Sequence, residues 1–214
     1  KIENYALAFN GAYIYRTDTK EKLVEHLVPS NCAVKAIKLC RKFNVDIMVY
    51  RDEILWFDTP TERIYDYATR NMVNTKVINN IEEIAKKPVS KVIIIGDREE
   101  LKRVENEVYC TSLNKIMTTF FSADVLYEFN PLGIDKGTGI KELSKILNIN
   151  MEETIAIGDN YNDLSMIKNA GVGVCCVNGE DEVKKYADYV TVNNNNEGAV
   201  AEVINKFVIK KGII

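Results

Sequence analysis

The stretch Thr154–Ile167, TIAIGDNYNDLSMI, constrains the fold of this chain more than any other feature. It begins with an apolar run, Thr154–Ile157, of the kind that a buried parallel strand requires. Gly158 interrupts the run, and Asp159 and Asp163 then follow four residues apart, before the apolar residues of a helix. This order of residues predicts a strand, a loop that carries two carboxylates, and a helix. Alternating strands and helices of this kind are the repeating unit of α/β folds.

The two aspartates occupy the place where open α/β sheets bind their ligands, the carboxyl end of a parallel strand. Carboxylate oxygens at this point suit Mg²⁺, which is usually held by one or two carboxylates together with substrate phosphate. The same residues also fit a polar turn in which Asp163 caps the next helix. The chain has a single histidine, His26, so a multi-histidine zinc site is excluded. Any chemistry therefore falls to carboxylates and lysines.

A second motif, GIDKGTGI, places Lys136 in the first turn of a predicted amphipathic helix, with Asp135 as the N-cap. A cation at this end opposes the helix dipole and costs about 0.3–1 kcal/mol when exposed. Lysines do occur in first turns by chance. The cost has a purpose, however, if an anion binds there, because helix N-termini and lysine both attract phosphate. The motif therefore indicates a phosphate site.

Composition excludes several classes of function. The net charge is −3 and the 28 basic residues form no basic block, so the sequence shows no footprint for nucleic acid. No apolar run approaches the roughly 18 residues of a membrane span. The five cysteines form no CxxC pair, and a reduced, cytoplasmic setting is the simplest account of them.

The pattern along the chain changes after Pro131. Before it, hairpins such as Asp46–Tyr50 with Ile54–Phe57 are mixed with helices, which predicts an α+β domain with a largely antiparallel sheet. After it, strands and helices alternate regularly, which predicts a parallel sheet. The segment Ile93–Asp97 repeats the Ile-Gly-Asp pattern of the main motif, but no second aspartate follows it. We therefore interpret Asp97 as the N-cap of a helix that begins at Arg98.

Taken together, KGTGI and GDNYNDLSMI, with 23 residues from Lys136 to Asp159, and the later AGVGV, ADYVT and NEGAV resemble the haloacid dehalogenase-like (HAD) phosphatases, Cof-type branch. The matching parts cover residues 4–15 and about 125–208. The resemblance implies a Rossmann-like parallel-sheet core at residues 1–13 and 129–214, with an inserted α+β cap domain at residues 14–128. It also implies a Mg²⁺-dependent phosphatase that hydrolyses small phosphorylated metabolites, such as sugar phosphates, through an aspartyl-phosphate intermediate.

The resemblance assigns a role to each matched residue. Lys136 matches the catalytic lysine, which neutralises the nucleophile and the transferred phosphoryl group. Asp159 matches the acidic Mg²⁺ ligand, and Asp163 matches a second acid that supports both the metal shell and the lysine. Lys136 is also expected to bind the phosphate group, and the other residues predicted to do so are Asn10, Gly11 and Asn162.

One part of the family pattern is absent from the sequence. The family's nucleophile lies in an amino-terminal DxDGT strand, and these 214 residues contain no DxD sequence. We expect from this that the chain, which begins at Lys1, is an incomplete record of a longer enzyme and that its core sheet is incomplete at the amino-terminal end. The alternative is a catalytically silent, truncated paralogue that binds a phosphometabolite or a protein partner.

Overall fold

A computed structural model describes residues 4–209 and divides the chain into two compact units, Lys1–Asp135 and Lys136–Ile214. The predicted class, α/β with an α+β portion, is confirmed, because a parallel sheet forms in the second unit and a largely antiparallel sheet forms in the first. The assignment of core and cap to particular residue ranges stays a prediction.

The first unit contains nine strands and four α-helices among its described residues. The strands are β1 Tyr5–Ala8, β2 Tyr13–Arg16, β3 Lys22–Glu25, β4 Asp46–Arg51, β5 Ile54–Phe57, β6 Asn74–Val77, β7 Lys91–Ile95, β8 Thr118–Ala123 and β9 Leu126–Asn130. The helices are α1 Ser30–Cys40, α2 Glu62–Arg70, α3 Glu82–Ala85 and α4 Arg98–Cys110. Strands β1, β2 and β3 form an antiparallel sheet of their own.

The other six strands of this unit form one sheet in the order β6-β5-β4-β7-β9-β8, in which only the β5–β6 pair is parallel. Because successive side chains of a strand point to opposite sides, the two faces of this sheet pack into different hydrophobic clusters. One face packs residues such as Val92 and Ile94 against α1 and α4. The opposite face packs Met48 and Ile93 against α2. A fully buried side chain of this size contributes about 1.5–3 kcal/mol, so both faces stabilise the sheet.

The second unit follows the predicted strand–helix alternation. Its α-helices are α5 Lys136–Leu147, α6 Leu164–Asn169, α7 Asp181–Lys184 and α8 Ala199–Val203, and its strands are β10 Ile155–Gly158, β11 Val172–Cys175 and β12 Tyr189–Val190. The strands form a parallel sheet in the order β10-β11-β12. Among the described strands, β10 pairs only with β11, so β10 lies at an edge of this sheet.

The last helix departs from its predicted form. The spacing of apolar residues from Val200 to Val208 predicts one continuous α-helix with Val200 and Ile204 on its buried face. Instead α8 ends at Val203, residues Ile204–Ile209 form a π-helix, and both Val200 and Ile204 are exposed. A π-helix has hydrogen bonds between residues i and i+5, so it has more residues per turn than an α-helix. Apolar residues spaced for an α-helix therefore no longer lie on one face of the helix beyond Val203.

Two further findings concern the cysteines and membrane insertion. All five cysteines have free thiols, and only Cys110 is exposed. Within residues 4–209, every helix is too short or too polar to cross a bilayer.

Glu202, on α8, anchors the loop that follows β12. Its carboxylate accepts hydrogen bonds from the Tyr189 hydroxyl at 2.6 Å, from the backbone N–H of Val192 and from the backbone and side-chain N–H groups of Asn193. These donors, the Tyr189 hydroxyl first, lower the pKa of Glu202 from 4.5 to about 2. The stabilisation is therefore fully present above pH 4.5 and is lost as the pH falls towards 2.

We predict that Glu202→Gln flattens the acid limb of the stability profile. Between pH 4.5 and 2 the melting temperature of the wild-type protein should fall more steeply than that of the variant, because only the wild type loses an ionised acceptor. Thermal melts across this range measure the difference. Glu197→Gln, in the same segment and exposed, serves as the control. If the melting temperatures of the wild type and Glu202→Gln fall equally steeply between pH 4.5 and 2, the stabilising role of the ionised Glu202 carboxylate is refuted.

Candidate active site

The aspartate motif forms the strand, loop and helix that the sequence predicts. Strand β10 ends at Gly158, a 3₁₀ turn follows at Tyr161–Asp163, and α6 begins at Leu164. Asp159 lies directly after the carboxyl end of β10 and is half-buried. A β-carbon on Gly158 would lie 2.4 Å from that of Asp163, so glycine is required at this position for the loop to fold back over the strand end.

Asp163 is the residue around which the loop is organised. Its Oδ2 accepts the backbone N–H groups of Asp159 at 3.0 Å and of Asn160 at 3.1 Å. Its Oδ1 pairs with the ammonium of Lys136, and the Asp163 side chain is only 5% exposed. The predicted capping of the next helix is wrong, because Asp163 occupies the N-cap position of α6 but its side chain makes no capping hydrogen bond there. Its carboxylate turns back instead and closes a capping box with Asn160 around the preceding 3₁₀ turn. The same carboxylate also pairs with the Lys136 ammonium, so Asp163 connects this turn to the start of α5.

Lys136 reaches this carboxylate because α5 and α6 pack unusually closely. A β-carbon on Gly137 would lie 2.7 Å from the Ser165 backbone, and the Gly137 N–H donates to the Ser165 hydroxyl at 2.9 Å. Lys136 is the first residue of α5, and its side chain remains 32% exposed. From the sequence we expected an external anion to compensate a cation at this helix end. The structure supplies an internal anion, Asp163, although part of the ammonium still faces solvent.

Asp159 lies next to a second negative charge. Its pKa is raised above the ordinary value of 3.8, first by burial and then by the neighbouring Asp163 carboxylate, while Lys136 acts in the opposite direction. Two carboxylates held side by side repel each other, and a cation bound between them relieves that repulsion. Asp159 is the better placed of the two as a direct ligand, because both oxygens of Asp163 already accept hydrogen bonds.

The donors at the end of β10 fit a hard cation that keeps part of its water shell. Two carboxylates and the nearby backbone carbonyls supply oxygen only, which is the chemistry that Mg²⁺ prefers. Within residues 4–209, no group of three or more histidine, cysteine, aspartate or glutamate side chains could hold a metal. A magnesium ion at Asp159 would therefore take its other ligands from water, from phosphate or from further protein groups.

The predicted phosphate-binding residues fall in different parts of the structure. Asn162 lies in the 3₁₀ turn between Asp159 and Asp163, where it is half-buried. Asn10 and Gly11 lie in the first unit, in the turn that joins β1 to β2. The roles assigned to these residues stay predictions. What the structure brings together is the group Lys136, Asp159 and Asp163.

The second unit thus defines a parallel α/β protein with a lysine and two carboxylates at the carboxyl end of an edge strand, an arrangement suited to binding phosphate and a cation. Comparison with known proteins identifies the family. The family model described as haloacid dehalogenase-like hydrolase matches residues 1–204. The chain therefore belongs to the haloacid dehalogenase-like hydrolases, and within them it is a phosphatase.

Three similar proteins illustrate the match. A haloacid dehalogenase-like hydrolase from Bacteroides thetaiotaomicron has a crystal structure with a TM-score of 0.82 and 33% identity, over 95% of this chain and 76% of that one. The structure of a HAD subclass IIB sugar phosphatase gives a TM-score of 0.79 and 26% identity, over 98% and 76% of the two chains. A 5-amino-6-(5-phospho-D-ribitylamino)uracil phosphatase of Bacillus subtilis is 40% identical over 96 residues, which are 45% of this chain and 38% of that protein.

Proposed function

We propose that this protein is a Mg²⁺-dependent phosphatase that hydrolyses small phosphorylated metabolites through an aspartyl-phosphate intermediate. The observation that carries the proposal is the arrangement of Lys136, Asp163 and Asp159 around the end of β10. A fixed cation beside a half-buried carboxylate offers two sources of positive charge, the ammonium and a bound metal, to one phosphate group.

Lys136 is the group proposed to contact the transferred phosphoryl group. Catalysis of phosphoryl transfer depends chiefly on placing charge where the equatorial oxygens develop it. The Asp163 carboxylate holds the lysine side chain in one place, so little reorganisation is needed when substrate binds. Asp163 acts through Lys136 and through the loop backbone, and it is a positioning residue in this proposal.

Asp159 is the proposed magnesium ligand, with Asp163 supporting it through the hydrogen bond to the Asp159 backbone N–H. The bound metal would supply Lewis-acid stabilisation of the phosphate charge. Asn162, Asn10 and Gly11 are proposed to orient the phosphate by hydrogen bonds, as their match to the family motifs implies.

The proposed substrates are phosphate esters of sugars or similar polyhydroxylated compounds. The support comes from the named activities of two similar proteins, a sugar phosphatase and a phosphatase that acts on a phosphoribityl compound. Phosphate release from a panel of phosphorylated sugars and polyols, with Mg²⁺ and with a chelator, tests this on the protein in its natural length. Turnover that ignores chelation, or no turnover of any ester, would refute the proposed function and favour a silent binding protein.

The attacking carboxylate is proposed to come from outside these 214 residues. The sequence has no DxD motif, and in the part of the chain that the structure describes β10 has one free edge where a further parallel strand could pair. We predict that the 214 residues alone release no phosphate from para-nitrophenyl phosphate above a buffer blank, because their sequence lacks the DxD motif that carries the family's nucleophile. Enzyme-like turnover by a mass-verified 214-residue preparation would place the nucleophile within the chain.

A further inference from the structure

A buried ion pair lies on one face of the six-stranded sheet in the first unit. The Lys91 ammonium on β7 lies 2.9 Å from Oε2 of Glu128 on β9, and the two residues are only 8% and 4% exposed. The same sheet face is otherwise lined largely by apolar side chains such as Met48 and Ile93. Charged groups are rarely buried without a partner, and a pair of this kind does not by itself indicate a gain in stability. Its presence therefore suggests a role other than packing.

The pair is joined to a residue of the proposed phosphate site. The side-chain amide of Asn10 donates to the same Glu128 oxygen, at 2.9 Å, although the two residues are 118 positions apart in the sequence. An ionised carboxylate can only accept hydrogen bonds, whereas the amide nitrogen of asparagine carries two hydrogens, so that one can donate to Glu128 and the other to a phosphate oxygen. Glu128 therefore fixes which end of the Asn10 amide faces it.

The backbone that carries Asn10 is also constrained. Phe9, Asn10 and Gly11 have φ values of 50°, 54° and 91°, a run in the left-handed region that glycine adopts freely and asparagine tolerates but that is strained for the bulky Phe9. The Phe9 ring packs against those of Tyr13 and Tyr50, with ring centroids 4.7 and 5.3 Å away. Strained backbone of this kind persists where its surroundings fix it, and it collects at functional sites.

The ion pair and the turn hold each other in place. The Lys91 ammonium lies 5.7 Å from the Phe9 ring centroid and 5.5 Å from that of Tyr50, within the range of a cation–π contact. Glu128 thus accepts a hydrogen bond from the Asn10 side chain, while Lys91 contacts the neighbouring Phe9 ring. The Asn10 side chain and the Phe9 ring of the strained turn therefore both contact the Lys91–Glu128 ion pair.

We propose that the Lys91–Glu128 pair is a positioning element, which holds the Asn10 amide in the orientation that binds the substrate phosphate. This inference rests on the proposed function, in which Asn10 contacts phosphate. Glu128 and Lys91 touch neither substrate nor metal in this proposal. They act only through Asn10 and its turn.

A double-mutant cycle on the natural-length protein tests the proposal. Glu128→Gln alone leaves the Lys91 charge without its partner and can unfold the protein, so the pair is also replaced together, as Lys91→Met with Glu128→Leu. Apolar residues of similar volume often substitute for buried ion pairs without loss of stability. The second variant is Asn10→Ala, and the third variant combines Asn10→Ala with the paired replacement of Lys91 and Glu128. Each variant is assayed for KM and kcat with a phosphorylated sugar, for inhibition by inorganic phosphate and for its melting temperature.

We expect the paired replacement and Asn10→Ala each to weaken substrate and phosphate binding by about tenfold to a hundredfold, the range for one hydrogen bond to a charged group. The combined variant should be no weaker than Asn10→Ala, because the pair acts through that residue. The ranking of the variants by melting temperature should differ from their ranking by affinity for substrate and phosphate. Glu83→Gln, which breaks an exposed pair with Lys86, serves as the control and should leave every constant unchanged.

Three outcomes would overturn the proposal, and they are distinguishable. If Asn10→Ala binds phosphate as the wild type does, the proposed phosphate contact fails and the positioning role fails with it. If Asn10→Ala loses affinity but the paired replacement does not, only the positioning role is wrong. If the two losses add in the combined variant, Glu128 and Lys91 act on the fold in general and not through Asn10.

Discussion

Replacing Lys136 with methionine is expected to lower kcat for phosphate-ester hydrolysis by about 10²–10³-fold, which is the cost of removing one preorganised charge stabiliser from an active site. Methionine keeps the length and apolar stem of the side chain but removes the ammonium. The loss should be largest in kcat, because the charge is needed most where the phosphoryl oxygens become more negative. Steady-state kinetics on the natural-length protein measure it.

The same substitution should also reduce stability, to a limited extent. Asp163 is almost fully buried and would lose the ammonium, yet its Oδ2 would keep both backbone N–H donors. We expect the free energy of unfolding to fall by about 1–3 kcal/mol, the penalty for one unsatisfied buried group. Lys141→Met, on an exposed position of the same helix, is the matched control. A folded Lys136→Met protein with wild-type kcat would contradict the role assigned to the lysine.

Much of the second unit could be predicted because its signals are local. The strand at Ile155–Gly158 and the following helix are written in consecutive residues, and their periodicity changes where the structure changes. The same holds for the hairpin of β4 and β5, which has a two-residue turn at Asp52 and Glu53. Both of those turn residues have positive φ values, as such a hairpin turn requires.

Strand β9 could not be predicted in the same way. Its sequence, LYEFN, places Glu128 and Asn130 at alternate positions, a pattern that normally indicates a side exposed to water. Both residues are nevertheless buried, and neither atom of the Asn130 amide has a hydrogen-bond partner. The partner of Glu128 on β7 and its partner in the turn after β1 lie far away in sequence, and no local pattern announces such pairings.

The surroundings of Lys136 could be predicted only in part from the sequence. A cation in the first turn of α5 indicated an anion, and the sequence offered phosphate as that anion. Asp163 meets the ammonium instead, across the close contact between Gly137 and Ser165. Because that contact depends on how two helices pack, it cannot be read from either motif alone. An ammonium held by a carboxylate and still partly exposed remains suited to phosphate.

The second large effect is expected for Asp159→Asn, and it should be visible without any turnover. In the absence of metal, the neutral amide removes the repulsion between Asp159 and Asp163, which is a cause of the raised pKa of Asp159. The metal-free variant should therefore melt at the same temperature as the wild type or higher. Adding Mg²⁺ should raise the melting temperature of the wild type, since a ligand that binds only the folded state stabilises it. The variant should show no such rise.

Hydrolysis by Asp159→Asn should fall to the level that the wild type shows with a chelator, because the residue that holds the metal has lost its charge. The chain offers a matched control in Asp97→Asn. Asp97 follows the similar run Ile93–Gly96, but it is exposed at the start of α4 and has no second aspartate beside it. That variant should keep both the response to Mg²⁺ and the activity. If Asp159→Asn still gains stability from Mg²⁺ and turns over substrate, the metal is held elsewhere, and the carboxylate at the end of β10 serves only to shape its loop.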